Sequence, residues 1–296
     1  MKLAAGVDLI RVKDKEYPAS LKEIYDPPAQ LYVKGSLPDD SVPKVAVVGS
    51  RITSHYGLRT AKAIAADLAT AGVVVVSGMA LGIDTAAHEG ALSVGGKTIA
   101  VLGSGFSNLY PRENKKLAEQ IIKNGALITE YPAEMEPKAL NFPRRNRIIS
   151  GISCAVLVVE ARKKSGALIT ADFALEQGRD VFAVPGNVDS PKSGGTNWLL
   201  KEGAKVAMCA EDILQEMNIQ AAPQKTILKQ GNENNNRDLS AEEKKLLALF
   251  DSEPLHVDVL LESSRMPLSK AISVLSLLEI KGRLKQLPGK NFVRMQ

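Results

Sequence analysis

The sequence predicts an α/β protein: an extended, Rossmann-like, doubly wound and mostly parallel sheet with a small winged-helix domain at the C-terminus. Three observations predict it. Six short apolar runs bounded by Gly and Pro alternate with segments of helical periodicity between Val45 and Gly186. Those runs are apolar almost throughout, as strands buried on both faces of a parallel sheet must be. Beyond Ile219 the alternation stops, and a polar stretch leads into three helical patterns and a hairpin.

The elements follow in order. VAVVGS (Val45 to Ser50) reads as a buried strand, followed by a helix over Gly57 to Ala71 with Ala61, Ile64, Ala65 and Leu68 on one face and Gly72 as its stop. VVVVS (73–77), TIAVLG (98–103), ALIT (126–129), AVLVVE (155–160) and VFAVPG (181–186) read as further strands. Helices are expected at about 84–94, 112–124, 144–152 and 170–177. Domain boundaries then fall at 1–40 for a Pro-punctuated N-terminal extension, 41–217 for the Rossmann-like domain, 218–239 for a linker and 240–296 for the winged helix. In the last of these, Ser269 to Glu279 is the expected second helix of a helix-turn-helix, and the hairpin about Pro288–Gly289 the wing. That helix is poor in side chains that read base edges, so a plain three-helix interaction domain is the competing reading.

Composition narrows the function classes. The 296 residues are 45% hydrophobic and 24% charged, with a net charge of +5, in the range of a globular protein with a polyanionic partner. No apolar run is long enough for a membrane span and the start lacks a secretory signal, so a cytoplasmic location is expected. Cys154 and Cys209 both lie in apolar runs and read as buried thiols. The three histidines, His55, His88 and His256, are too far apart for a metal site.

Nucleotide cofactors find no fingerprint. In ALSVGGKT, Ala91 stands where the first glycine of a phosphate-binding loop belongs, and the segment leads into a strand instead of leaving one. GSGFSN at Gly103 has Asn108 in place of the third glycine of a dinucleotide loop. No cofactor is expected. Catalytic candidates are equally thin: Glu130, Glu160 and Asp84 sit near strand ends without a nucleophile or paired histidines, and Asp84 with Thr85 reads best as a helix cap.

The strand-to-helix junctions are Gly-rich and cationic. Gly49-Ser50-Arg51 follows the first strand, Tyr110-Pro111-Arg112 opens a helix after the third, and Arg162-Lys163-Lys164-Ser165-Gly166 follows the fifth. Such junctions let backbone N–H groups and helix N-termini meet phosphate. The segment NFPRRNRIISGIS adds Arg144, Arg145 and Arg147 at a helix start, where cations oppose the helix dipole. With Ile148, Ile149 and Ile152 facing the core, Arg144 and Arg147 are expected on one outward side. The row of cations fits a chain of phosphates better than one, and Phe142 and Tyr110, adjacent to it, are candidates to stack on bases, with a plain core position as the competing reading for each.

Together, VAVVGSR, VVSGMALGIDTAAHEGAL, YPREN, NFPRRNRIISGIS, VVEARKKSGALITADFALEQGRDVFAVPG and GGTNWLLKEGA closely resemble the DprA (Smf) DNA-processing family over about 17–214. The resemblance implies a homodimer that binds single-stranded DNA and loads the RecA recombinase onto it during natural transformation. By motif it implies DNA-binding roles for Gly49, Ser50, Arg51, Arg112, Asn114, Phe142, Arg145, Asn146, Arg147, Lys163, Lys164, Ser165 and Gly166. Duplex DNA is a second expected partner, through the winged helix. It also implies that the N-terminal helical domain of many members is reduced here to a remnant. The expected protein is therefore a binder and not an enzyme. The rival is a nucleoside-monophosphate N-glycosidase of the lysine-decarboxylase-like family, whose glycine-rich signature SGGTNWLL resembles, with Leu199 and Leu200 where that signature needs a Glu.

Overall fold

The computed structural model describes residues 6–219, 239–250, 254–264, 266–287 and 289–294. The chain divides into two compact units, Met1–Gln224 and Lys225–Gln296. Most of the expected linker at 218–239 lies outside the described residues.

The N-terminal stretch is no mere lead-in. β1 (Val7–Arg11) and β2 (Gln30–Gly35) pair antiparallel, with α1 (Ala19–Lys22) between them, and β2 joins the main sheet. Leu31, Tyr32 and Val33 are buried there, a strand signal short enough to be hidden among the prolines.

The six predicted runs are strands: β3 (Lys44–Val48), β4 (Val74–Ser77), β5 (Thr98–Val101), β6 (Gly125–Thr129), β7 (Ala155–Val158) and β8 (Asp180–Ala183), with β9 (Lys205–Val206) at the edge. Between them lie α2 (His55–Thr70), α3 (Ile83–Ser93), α4 (Lys115–Lys123), α5 (Asn141–Gly151), α6 (Gly166–Glu176), α7 (Gly194–Lys201) and α8 (Ala210–Glu216). The sheet order is β1-β2-β6-β5-β4-β3-β7-β8-β9, parallel from β6 to β9.

Alternation along each strand builds a core on both faces. Val45 and Val47 pack with Ile64, Leu68 and Ala87 of α2 and α3. Ala46 and Val48 pack on the opposite face with Ile148 and Ile149 of α5 and Ala171 of α6. Helix starts have local causes: the Ser54 hydroxyl accepts from Gly57 N at 3.0 Å, capping α2. α5 begins three residues before the expected Arg144, which puts Pro143 inside its first turn.

The C-terminal unit has α9 (Ala241–Leu247), β10 (Leu255–His256), α10 (Val257–Ser264), α11 (Leu268–Ile280), β11 (Leu284–Leu287) and β12 (Asn291–Arg294). Its sheet runs β10-β12-β11 over a core of Leu246, Leu260, Val274, Leu278 and Phe292. The wing hairpin forms as expected about Gly289, while Pro288 lies outside the described residues. The open side of α11 shows Leu268, Ile272, Leu277 and Ile280.

Two smaller expectations need correction. Cys209 is exposed at the start of α8, and only Cys154 is largely enclosed. The helix expected at 170–177 is longer at its N-terminal end, α6 starting at Gly166. Among the described residues no helix is long and apolar enough to cross a membrane, and no cluster of ligating side chains could hold a metal.

Candidate nucleic-acid interface

Strand order reverses at β3. β4, β5 and β6 continue to one side and β7, β8 and β9 to the other. Loops leaving β3 and β7 therefore diverge, and a crevice opens outside their carboxyl ends. It is a cleft of about 660 Å³ lined by Gly49, Ser50, Arg51 and Ile52 from the β3 loop, Arg162, Ser165 and Gly166 from the β7 loop, and Phe142, Arg145 and Asn146 from the start of α5.

Phe142 is the centre of an aromatic and cationic group. The Arg51 guanidinium stands 5.3 Å from its ring centroid and that of Arg145 6.0 Å. The Tyr110 ring lies 5.6 Å away, tilted by 57°. The approach of Phe142 to the sheet depends on Gly103, since a Cβ there would come within 2.9 Å of the ring. Arg51 and Tyr110 are exposed, so this group opens to solvent.

Arg145 is the fixed cation of the floor. Its side chain is buried, with Nη1 donating to the carbonyls of Gly78 (2.7 Å) and Val101, and Nε to Asn146 Oδ1 at 3.2 Å. Burial pushes its pKa down to about 10, and Asp84 draws it back up. It therefore stays protonated at neutral pH. Asn146 in turn donates to the Gly166 carbonyl at 3.2 Å, tying α5 to the N-terminus of α6.

Asp84 belongs to the same floor. Burial raises the pKa of its carboxyl, against the nearby Arg145 charge. Its Oδ2 accepts from Ala80 N at 3.2 Å, so it braces the turn before α3 from inside the first turn and is not the N-cap, which is Gly82. Thr170 also lines the cleft; it is buried, yet its hydroxyl has no hydrogen-bond partner among the described residues. Sequence reasoning missed Thr170, because a threonine within a helical run carries no mark of which face it occupies.

Two amides of the β3 loop are already bonded within the protein. Ser50 N donates to the Glu160 carbonyl at 2.8 Å and Ile52 N to Ser50 Oγ at 3.2 Å. With those two amides occupied, the exposed Arg51 side chain is the loop's cation at the cleft. The N-terminus of α6, with Ser165 as cap, does open on the cleft and adds its dipole.

The other expected site residues divide. Lys163 and Lys164 are exposed beside the cleft with no partner among the described residues, and Lys164 sits at φ 67°. Arg112 is exposed on an adjoining groove of about 570 Å³, with Lys34, Lys115 and Phe106, and Tyr110 lines both hollows. Asn114 is buried and structural in its contacts, donating to Met79 O (2.8 Å) and Thr85 Oγ1 (2.9 Å).

Arg144 and Arg147 do share one side of α5, but that side is not open. Arg147 is buried in a two-pronged pair with Glu130, both contacts at 2.9 Å, and its Nε reaches Asp26 at 2.9 Å. Burial works against its charge, yet Glu130 and Asp26 more than offset this and hold it more firmly protonated than usual. Arg144 is half-exposed at the edge of the same cluster, 3.8 Å from Glu130 and 3.9 Å from Asp26.

Comparison with known proteins finds family models for both parts of the chain. The model of the family described as DNA recombination-mediator protein A matches residues 8–218, and that of the DprA winged helix domain matches 231–290. Protein Smf of Escherichia coli is 41% identical over 294 residues, covering 97% of this chain and 77% of its own. The X-ray structure of DNA processing protein A from Streptococcus pneumoniae superposes with a TM-score of 0.68 at 43% identity, covering 72% of this chain and 75% of that one. The Helicobacter pylori DNA processing protein A, whose structure is described in terms of its single-stranded DNA binding mode, gives 0.65 at 29% identity, covering 73% and 97%.

Proposed function

The chain belongs to the DNA recombination-mediator protein A family, and from that premise we propose that its cleft holds single-stranded DNA. The observation that carries this reading is Phe142, half-buried in the wall of the cleft and flanked by Arg51, Arg145 and Tyr110. An aromatic face accepts any base, and surrounding guanidinium groups attract the phosphates on either side, so binding is strong, salt-dependent and indifferent to sequence. A duplex keeps its bases stacked inside and offers none to Phe142. The single-strand binding of the Helicobacter pylori relative supports the same assignment.

The cations outside the cleft extend the track. Lys163 and Lys164 stand at one end, and Arg112 with Lys34 and Lys115 in the adjoining groove at the other. The protein acts as a binder and not as a catalyst. As a homodimer it presents two such clefts to one strand and delivers that strand to the RecA recombinase during DNA uptake. The C-terminal unit, whose α11 offers leucine and isoleucine outward, contributes no reading of base sequence.

Fluorescence anisotropy of labelled oligo-dT, with unlabelled duplex as competitor and at two salt concentrations, tests this. Tight, salt-sensitive binding that duplex fails to displace is expected. Binding to duplex alone, or turnover of nucleoside monophosphates, would overturn it.

A further inference from the structure

We infer that Glu160 is a positioning residue for Arg51, fixing the loop that carries this arginine over Phe142 before any strand arrives. The inference rests on the reading of the cleft as a site for single-stranded DNA.

Glu160 lies two residues beyond the end of β7 and is 4% exposed. Parallel pairing of Val48 with Val158 brings it beside the β3 loop. Its carbonyl accepts from Ser50 N at 2.8 Å. Its carboxylate accepts from Thr53 Oγ1 at 2.6 Å, from Ser54 N at 2.9 Å and from the Ser54 hydroxyl. One residue of a neighbouring strand thus holds both ends of the stretch Ser50–Ser54, with Arg51 between the holds. The seat is close: a Cβ on Gly57 would come within 2.5 Å of Glu160 Cδ.

Charge makes the arrangement more telling. A carboxylate beside a cationic cleft ordinarily pairs with the nearest cation and weakens its pull on phosphate. Here both oxygens are taken by hydroxyl and amide donors, and among the described residues Glu160 forms no ion pair with Arg51 or Arg162. Hydrogen bonds to an ionised acceptor are the stronger kind. The acid therefore orders the loop while leaving the Arg51 charge free. Ordering the backbone in advance removes a cost that binding would otherwise carry.

The test is a mutant cycle on the full chain, read by oligo-dT anisotropy for wild type, Glu160→Ala, Arg51→Ala and the double variant. Glu160→Ala is expected to weaken binding about tenfold when Arg51 is present and to have no further effect when it is absent, because coupled residues are non-additive. An equal loss in both backgrounds would make Glu160 a general structural support and overturn the inference. Should Glu160→Ala reduce the folded fraction, Thr53→Val removes one donor to the same carboxylate with little change of shape. It is expected to weaken binding about threefold with Arg51 and not at all without it. No effect in either background would overturn the inference alone. Failure of the wild type to bind oligo-dT would remove the reading of the cleft and this inference with it.

Discussion

Arg51 lies over the ring of Phe142, its guanidinium 5.3 Å from the centroid, although the two residues are 91 positions apart in the sequence (142 − 51). The pair combines two kinds of attraction that respond differently to salt. Phe142→Leu removes the flat aromatic face and keeps the apolar bulk, so it should weaken oligo-dT binding by about 1–3 kcal/mol with the salt slope unchanged. Arg51→Ala should instead lower the slope of log K against log salt by about 0.7, one phosphate contact. Anisotropy across a salt series separates them, and identical slopes in the two variants would contradict the division of roles.

Arg147 lies in the same arginine-rich segment but has a different role. Removing it leaves the largely enclosed Glu130 with only the longer contact to the exposed Arg144, so Arg147→Ala should destabilise the sheet domain by about 3 kcal/mol and lower its melting temperature by roughly 6–10 °C. Arg51→Ala should leave the melting temperature nearly unaltered. Calorimetry on both variants checks this.

The Lys163 and Lys164 side chains form no hydrogen bond or ion pair among the described residues. Replacing both by Gln should reduce affinity for long oligonucleotides and lower the salt slope by up to about 1.4, with no change in stability. If short and long strands lost affinity equally, with the slope unmoved, these lysines would lie off the track.

His88 gives the domain a stability limit in acid. The Thr98 hydroxyl spends its one proton on Val75 O (2.7 Å), so His88 Nδ1 at 2.7 Å must donate to it, leaving Nε2 without a partner. Burial pushes the His88 pKa from 6.5 down to about 3. Between those values the unfolded chain binds a proton that the folded chain refuses, so this contribution is full above pH 6.5 and is lost as pH falls towards 3. From pH 7 to pH 5 the loss is about 2 kcal/mol. Urea unfolding at the two pH values measures it, and His88→Gln should flatten the dependence.

The sheet was largely legible because its strands are buried on both faces and so appear as unbroken apolar runs. β1 and β2 were not, since one edge of the sheet asks for fewer apolar residues and the prolines around Pro27 and Pro28 dominate that stretch. The cationic loops were equally plain. What a linear reading could not supply was the opposing charge. Helical spacing correctly puts Arg144 and Arg147 together, but Glu130 comes from the end of β6 and Asp26 from the loop after α1, and only the fold reveals that both arginines face acids and that Arg147 is enclosed. For the same reason Glu160 reads in isolation as a strand-end acid, and its partners Thr53 and Ser54 become visible only once β3 and β7 lie side by side.

That adjacency of β3 and β7 has a temporal side. The first wall of the cleft is translated early, while the second waits until the intervening strands β4, β5 and β6 have been made and the chain has returned to the other flank of β3. A nascent chain halted before Ala155 therefore has Arg51 and Phe142 but lacks Glu160, which holds the Arg51 loop, and the β7 loop that completes the cleft. On the proposed reading of the cleft, the grip on a strand is therefore complete only once β7 has docked beside β3.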